Sequence, residues 1–457
     1  MTLFGTAGIR GPVENRVTPE LALSVGQAAG KPGETFVVGR DARETGEALA
    51  AAMEAGLESA GSAVRRVGVV PTPTLAYASR GRRGVMVTAS HNPPADNGIK
   101  FFSDGVEYDR DAEKLVEHGV ETGPERVPWA AWGGAERLEI LESYRNAVGE
   151  YVREEFPGEG GELLSELSIA VDCGAGVAGL ATPQILDALG ADVVAVNAAV
   201  DGHFPARESK PTPETLQSFS RFLAEGDGDL GIAHDGDGDR IVVLDGDGEV
   251  IHEDTVLAVV AAHYTRTAGA DDPVVVTTPN ASARIDEQVR RAGGRVERVR
   301  LGALHEGIAR VRENAGDDTD VVFAAEPWKH IHPAFGGWID AIVSAGVVSA
   351  LVLEAGDTDA LRAPVTERPY RKERVDCPDE AKAATMTALE TALPDAVPEA
   401  AVNTDYGVRL EFADASWTLV RPSGTEPYVR IYAESEDVDE LVATVREVVE
   451  TTIADVT

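Results

Sequence analysis

The sequence predicts an α/β protein: three tandem related α/β domains with mixed sheets, plus a smaller C-terminal α+β domain, around one central cleft. The first observation is a repeat. A strand near Phe36 to Gly39 leads through an Ala-rich helix, about Gly46 to Ala60, to Val69-Val70-Pro71-Thr72-Pro73-Thr74-Leu75 and then to Gly84-Val85-Met86-Val87, which ends in a loop at Ser90. The order recurs from Ser168-Ile169-Ala170-Val171-Asp172-Cys173 through Lys210-Pro211-Thr212-Pro213-Glu214-Thr215-Leu216 to a strand ending at Asp235, and more weakly from Pro273-Val274-Val275-Val276 to Glu326. The spans Val37 to Ser90, Ile169 to Asp235 and Val274 to Glu326 are 53, 66 and 52 residues. The second observation is length, since 457 residues exceed one core. The third is a break near Ala363 to Pro369, followed by mixed strand and helix and a closing helix, Val438 to Ile453. Expected domains are 1–150, 151–252, 253–364 and 365–457, with a polar linker region between Gly119 and Gly161 that holds a helix-like Arg137 to Glu154. Ligands of open α/β sheets lie beyond the strands' carboxyl ends, so the polar loops are expected to share one cleft.

Two of those loops carry chemistry. In Val87-Thr88-Ala89-Ser90-His91-Asn92-Pro93-Pro94 the Asn-Pro-Pro cannot continue strand or helix, so Ser90 sits on a tight loop at a strand's end and is a candidate nucleophile. In His234-Asp235-Gly236-Asp237-Gly238-Asp239-Arg240 three carboxylates at alternate positions make an oxygen cage for a hard divalent cation. An EF-hand does not fit: it requires glycine sixth and Glu twelfth, where this loop has Arg240 and Gly246. Octahedral Mg²⁺ is the natural ion where phosphate completes the ligand set. The neighbouring Asp245-Gly246-Asp247-Gly248 reads as a hairpin turn.

Two further stretches suit anions. Arg421-Pro422-Ser423-Gly424-Thr425-Glu426-Pro427-Tyr428-Val429-Arg430 places hydroxyls and backbone N–H groups between two arginines, as a phosphate monoester requires. Phe4-Gly5-Thr6-Ala7-Gly8-Ile9-Arg10-Gly11 fits a flexible anion-contacting loop or a plain N-terminal turn.

Composition bounds the partners. The formal net charge is −37, and only seven of 41 basic residues are lysine. A polyanion of this size argues against nucleic acid or anionic membranes as partners. Spread along the chain, the charge suits a salt-rich cytoplasm and a halophilic source. Two cysteines, Cys173 and Cys377, do not make a disulfide framework. The first residues lack a signal-peptide pattern, and the longest apolar run, Ala341 to Leu353, is shorter than a membrane span. A cytoplasmic monomer or homodimer acting on small molecules is expected.

Three rivals arise from the motifs. Gly174-Ala175-Gly176-Val177-Ala178-Gly179 matches the dinucleotide fingerprint after a strand, yet the next strand ends at Asn197 where a ribose-binding acid should stand. Ser90-His91 lacks the Gly-x-Ser-x-Gly elbow of an acyl-transfer serine, and adjacency does not supply the hydrogen bond. His330-Ile331-His332 has no further ligand at zinc-site spacing, and reads as core or substrate-contacting.

Taken together, the Ser90 loop, the Asp235 to Arg240 loop and the Arg421 to Arg430 loop resemble, in order and over essentially the whole chain, the α-D-phosphohexomutases: phosphoglucomutases, phosphomannomutases and phosphoglucosamine mutases. The resemblance implies interconversion of hexose 6-phosphate and hexose 1-phosphate through a phosphoserine at Ser90. One Mg²⁺ would bridge Ser90, Asp235, Asp237 and Asp239, with a sugar 1,6-bisphosphate as intermediate and activator. His91, Arg240 and Arg10 would line the phosphoryl-transfer centre, the arginines supplying positive charge. Arg421, Ser423, Gly424, Thr425 and Arg430 would hold the phosphate that does not react. Lys100, in Asn97-Gly98-Ile99-Lys100, matches the family's lysine near the phosphoserine; burial beside other cations is expected to lower its pKa towards general acid–base use. Glu326 and His330 match the sugar loop Gly-Glu-x-Ser-Gly-His, but Trp328 and Lys329 replace its serine and glycine and are expected to reshape the pocket floor. Gly302-Ala303 lacks the polar residue often found there. Glucosamine phosphate is the leading substrate, with mannose and glucose phosphates behind it; a non-catalytic sugar-phosphate binder and a dinucleotide-dependent oxidoreductase are the other readings.

Overall fold

The computed structural model describes every residue except 1, 2, 6, 7, 158–161, 317, 424 and 425. The chain divides into two compact units, Met1–Val256 with Trp328–Leu361, and Leu257–Pro327 with Arg362–Thr457.

In the first unit, the leading sheet is built from β1 (Ile9–Pro12), β2 (Thr35–Arg40), β3 (Ala63–Val69), β4 (Arg83–Val87), β5 (Asp96–Ser103), β6 (Val106–Glu107) and β7 (Ala135–Arg137). Its order is β1-β5-β4-β2-β3-β7, with β6 on β5. The centre is parallel and buried, with Phe36, Val37 and Val38 of β2 out of solvent, while β5 runs antiparallel to both β4 and β1. Thr18 caps α1 (Pro19–Ala29), its hydroxyl accepting from Leu21 N at 3.3 Å with Pro19 in the first turn. This helix crosses α2 (Gly46–Ser59) where both lack a side chain. A Cβ on Gly26 would lie 2.5 Å from the Met53 carbonyl, and one on Gly56 2.3 Å from that of Leu23.

The second sheet of this unit repeats the pattern. Strands β8 (Ser168–Asp172), β9 (Asp192–Val196), β10 (Leu230–His234) and β11 (Ile241–Asp245) stand in the order β11-β10-β8-β9. Thus β9-β8-β10 mirrors β3-β2-β4: parallel, first strand central, last strand turning into an antiparallel partner. Those two turns hold Ser90 and the three aspartates. Residues 245–249 form the expected hairpin turn, with Asp245 N and Gly248 N bonded to the Glu249 and Asp245 carbonyls.

One boundary differs from expectation. The helix expected from Arg137 begins at Leu141, because residues 135–137 pair with β3 and Leu138 N reaches the Arg66 carbonyl. The apolar run from Ala341 becomes the helix Ala341–Ala355, buried along most of its length. Among the described residues no helix is long and apolar enough to cross a membrane.

In the second unit, β12 (Asp272–Thr277), β13 (Arg295–Arg298) and β14 (Thr319–Glu326) are parallel in the order β13-β12-β14, the third pass of the repeat. The short β15 (Lys329–Ile331) belongs to the first unit. An antiparallel sheet, β16 (Tyr370–Asp376), β17 (Ala401–Asn403), β18 (Val408–Glu411), β19 (Trp417–Pro422) and β20 (Tyr428–Glu434), runs β16-β20-β19-β18-β17. The helices Asp379–Ala396 and Val438–Val456 supply Leu389, Leu393, Val445 and Val449 to its core.

Asp340 anchors the buried helix. Its carboxylate accepts from Ile342 N and Val343 N at 3.1 and 3.0 Å, from Tyr144 Oη at 2.8 Å and from Trp338 Nε1 at 3.0 Å. Asp340→Ala should cost about 3 kcal/mol, since it removes a cap and orphans two buried donors. Burial pushes the Asp340 carboxyl up to about 6, so the folded state holds this proton more tightly than the unfolded chain. Wild type should therefore lose stability relative to the variant between about pH 4 and pH 6, with a plateau above. Denaturant melts of both proteins across this range check it.

Candidate active site

Ser90 occupies the β4–β5 turn with φ of +52°, a conformation that a residue with a Cβ adopts only when its surroundings hold it. The hold comes from a wholly buried ion pair, Arg43 Nε to Asp41 Oδ2 at 3.1 Å. Leaving the sheet strips the turn's carbonyls of partners. Arg43 donates to those of Ser90 (2.9 Å), Asn92 (2.7 Å), Asp96 (2.8 Å) and Pro93. Thr88 Oγ1 donates to Asp41 at 2.6 Å and accepts from Ser90 N at 2.8 Å. Sequence reasoning gave residues 40–43 no role and so missed this function.

The side chain of Ser90 then meets the aspartate loop, where Oγ donates to Asp235 Oδ2 at 2.8 Å. Asp235, Asp237 and Asp239 are buried, and one oxygen from each lies within 4.8 Å of the others. Two hydroxyl residues at or next to the Pro-Thr-Pro segments of the repeat brace this meeting. Thr72 donates through N and Oγ1 to the Asp237 carbonyl and carboxylate at 2.9 and 2.8 Å. Ser209 Oγ, just before the second segment, donates to the Ser90 carbonyl at 3.1 Å and accepts from Gly236 N at 3.0 Å. The glycine-rich stretch at 174–179 packs here too: a Cβ on Gly176 would lie 2.8 Å from the Gly236 carbonyl, and Gly174 abuts Arg207. Close approach accounts for these glycines, Gly176 to the aspartate loop, Gly174 to Arg207 and Gly179 to the Ala198 carbonyl.

Three carboxylates in one buried volume need positive charge. Lys100 Nζ donates to Asp239 Oδ2 at 3.0 Å and Asp237 Oδ2 at 3.4 Å, and Lys329 Nζ reaches the same Asp239 oxygen at 3.0 Å. Arg240 Nε lies 3.7 Å from Asp235 and 3.9 Å from Asp239. Burial and its two neighbouring carboxylates push Asp235 up to about 7. At Asp239 burial is outweighed by Lys100, Lys329 and Arg240, which hold it well below the usual carboxylate range. Burial alone would pull Lys100 down, but Asp239, Asp237 and Glu107 hold it above the ordinary lysine value. The expected lowering of its pKa is thereby reversed, because the charges nearest to it are carboxylates.

His91 lies with Nδ1 3.4 Å from Ser90 Oγ, a long contact beside the short bond to Asp235. The neighbours are thus brought within reach although adjacency alone did not require it. Burial, with Arg240 and Arg10 facing it, pulls the His91 imidazole down to about 3, so it is neutral. Arg10, paired with Gly98 across β1 and β5, has buried Nε and Nη2 atoms with no hydrogen bond among the described residues. His330 and His332 are buried, and both rings bond Ser344 Oγ, at 2.9 and 2.8 Å. Lys329 was expected on a pocket floor and instead enters the aspartate cluster.

The donor set fits a hard cation. All three ligand groups are carboxylates, and the buried Asp237 Oδ1 and Asp239 Oδ1 make no hydrogen bond among the described residues.

In the second unit, Gly302 N donates to Glu326 Oε2 at 3.3 Å. Arg421 and Arg430 face each other across β19 and β20, with Arg421 Nη2 on Tyr432 Oη at 3.1 Å and Arg430 Nη2 on Tyr428 Oη at 2.9 Å. Arg421 Nε is buried without a hydrogen bond among the described residues. Ser423 Oγ accepts from Glu426 N at 3.2 Å, and Lys382 Nζ holds the Ser423 carbonyl at 2.8 Å, a contact sequence reasoning missed. Gly424 and Thr425 lie outside the described residues.

Residues 1–127 match phosphoglucomutase/phosphomannomutase alpha/beta/alpha domain I, residues 150–248 domain II and residues 373–451 the C-terminal domain. The chain belongs to the α-D-phosphohexomutase family. A phosphopentomutase of Thermococcus kodakarensis is 41% identical over 95% of this chain and 94% of its own length. A probable phosphoglucosamine mutase of Methanopyrus kandleri shows the same identity and the same shares. Among solved structures, a phosphoglucomutase/phosphomannomutase family protein of Burkholderia thailandensis has the same fold, with TM-score 0.83 and 24% identity over 99% of this chain and 97% of its own. Members of the family are mutases, so the chain is an isomerase.

Removing the guanidinium that holds the Ser90 turn should leave Asp41 buried and unpaired. Arg43→Met is expected to cost about 3–5 kcal/mol and to raise amide exchange across residues 88–98. Denaturation and hydrogen-exchange mass spectrometry measure both; a cost near zero would contradict this role for Arg43.

Proposed function

We propose that the protein moves a phosphoryl group between two positions of a sugar phosphate by way of Ser90, and that glucosamine 6-phosphate and 1-phosphate are its substrates. The observation that carries this is Ser90 Oγ on Asp235 at 2.8 Å, beside two further buried aspartates, each with one oxygen that makes no hydrogen bond among the described residues. Ser90, Asp235, Asp237 and Asp239 would hold one Mg²⁺. When bound, this ion supplies charge that stabilises the transferring phosphoryl group.

The protein's own groups divide the remaining work. Phosphorylated Ser90 presents its phosphoryl group to a sugar hydroxyl; the P–O bond to Ser90 breaks as that to the sugar forms, the hydroxyl proton ends on Ser90 Oγ, and Ser90 Oγ then takes the other phosphoryl group of the resulting 1,6-bisphosphate, its proton passing to the sugar oxygen released. Arg10 and Arg240 bring buried guanidinium nitrogens that make no hydrogen bond among the described residues and are suited to phosphoryl oxygens. Lys100, kept as an ammonium by Asp237 and Asp239, serves as a counter-charge. His91 stays neutral and adds no charge. In the second unit, Arg421, Ser423, Gly424, Thr425 and Arg430 are proposed as a phosphate-binding loop, and Glu326 as an acceptor for sugar hydroxyls. His330 is proposed to shape the substrate pocket through its place beside Ser344. We also assign one domain to each sheet, bounded at residues 150, 252 and 364.

Relatives named probable phosphoglucosamine mutase, at 33 to 41% identity, support the glucosamine assignment. A second reading, a pentose phosphate, is favoured by the 41% identity to a phosphopentomutase and by the Trp328-Lys329 departure in the sugar loop. Phosphorus NMR in high salt with Mg²⁺ and catalytic sugar bisphosphate separates them, using glucosamine, mannose and glucose 6-phosphates and ribose 5-phosphate in turn. The expected result is a new 1-phosphate signal that grows fastest from glucosamine 6-phosphate and is abolished by Ser90→Ala. Fastest turnover of ribose 5-phosphate selects the second reading, and no isomerisation by folded protein rejects both.

A further inference from the structure

Lys329 stands where the resembled sugar loop has glycine, and its ammonium lies inside the aspartate cluster. Trp328 puts it there. The Trp328 backbone has φ of +68°, which a bulky residue adopts only under constraint. Two contacts supply the constraint: the Trp328 carbonyl accepts from Ile241 N at 3.0 Å, and its ring packs on the core of Leu216, Phe219 and Val242, with the Lys210 ammonium 5.7 Å from the ring centre. Ile241 opens β11, directly after the aspartate loop. The turn is therefore tied to the element that carries Asp239, and Lys329 enters the cluster buried and preplaced.

We infer that Lys329 is a positioning residue that competes with the divalent cation for Asp239 and so sets how tightly that cation is held. The inference rests on the metal reading of the aspartate cluster. Two ammoniums already share Asp239 Oδ2, those of Lys100 and Lys329, both at 3.0 Å, while Asp239 Oδ1 has no hydrogen bond among the described residues. A carboxylate oxygen holding two ammoniums has spent most of its negative charge. A divalent ion on the remaining oxygen would also lie within a few ångströms of the Lys329 ammonium, where like charges repel strongly because little water screens them. Lys100 alone still pairs with both Asp237 and Asp239. The second ammonium thus exceeds what neutralising Asp239 requires, and its consequence is a cation held weakly enough to exchange.

The test is Mn²⁺ binding, read from the free-ion electron paramagnetic resonance signal, to dephosphorylated full-length protein: wild type, Lys329→Met, Lys329→Arg and Asp239→Asn, each verified as folded by circular dichroism. Lys329→Met keeps the length of the side chain and removes its charge; it should bind Mn²⁺ at least tenfold more tightly than wild type. Lys329→Arg retains the charge and should restore wild-type affinity, which a merely structural role of the lysine would not predict. Asp239→Asn should lose most binding. Equal or weaker binding by Lys329→Met, with wild type binding normally, overturns the inference and leaves the metal reading intact. No binding by wild type or any variant overturns the metal reading, and the inference with it.

Discussion

Three carboxylates confined to one buried loop repel each other and cannot remain there without compensation, and the first unit is arranged around that constraint. Asp235, Asp237 and Asp239 are each essentially out of solvent. Compensation arrives from every side: a hydroxyl from the β4–β5 turn, an ammonium from β5, a second from β15 and a guanidinium at the end of the loop itself. It is uneven. Asp239 is driven well below the usual carboxylate range while Asp235 rises to about 7, so the member that touches Ser90 is the least neutralised. The cluster is thus shortest of positive charge beside Ser90, where the proposed cation would add it.

Holding Ser90 against this cluster requires a turn the chain would not adopt unaided. The guanidinium of Arg43 closes the carbonyls of that turn, and Asp41 with Thr88 fixes the guanidinium. The hold is a buried ion pair, and removing either partner would leave the other charge buried without compensation. Ser209 and Thr72 then lock the turn and the aspartate loop to each other. Thr72 of the first Pro-Thr-Pro segment and Ser209, just before the second, thereby serve the same purpose in successive passes of one repeat: each brings a hydroxyl to the other pass's loop.

Much of this was legible in the sequence, for identifiable reasons. Buried parallel strands read as continuous apolar runs, and proline or glycine at their ends marks where the chain must turn, so the Ser90 and Asp235 loops could be placed at strand ends. Repetition then pointed to three related units, and β3-β2-β4, β9-β8-β10 and β13-β12-β14 share one topology. What stayed hidden was long-range or conformational. The partners of Arg43 are mostly backbone carbonyls, which carry no residue signature. Thr72 and Asp237 lie 165 residues apart. The sign of the Lys100 shift depended on whether cations or carboxylates stood nearest, and the left-handed turn at Trp328 that swings Lys329 into the cluster has no counterpart in local sequence preference.

The central claim is that Ser90 carries the phosphoryl group. The most direct measurement is intact-mass and peptide-level mass spectrometry of the protein after exposure to sugar 1,6-bisphosphate and Mg²⁺, with Ser90→Ala treated in parallel. The expected result is one added phosphoryl group, mapped to the peptide containing Ser90, removed by incubation with sugar monophosphate and absent from the variant. A wild-type protein that turns substrate over yet never carries phosphate on Ser90, or a Ser90→Ala variant that is labelled equally, would contradict it.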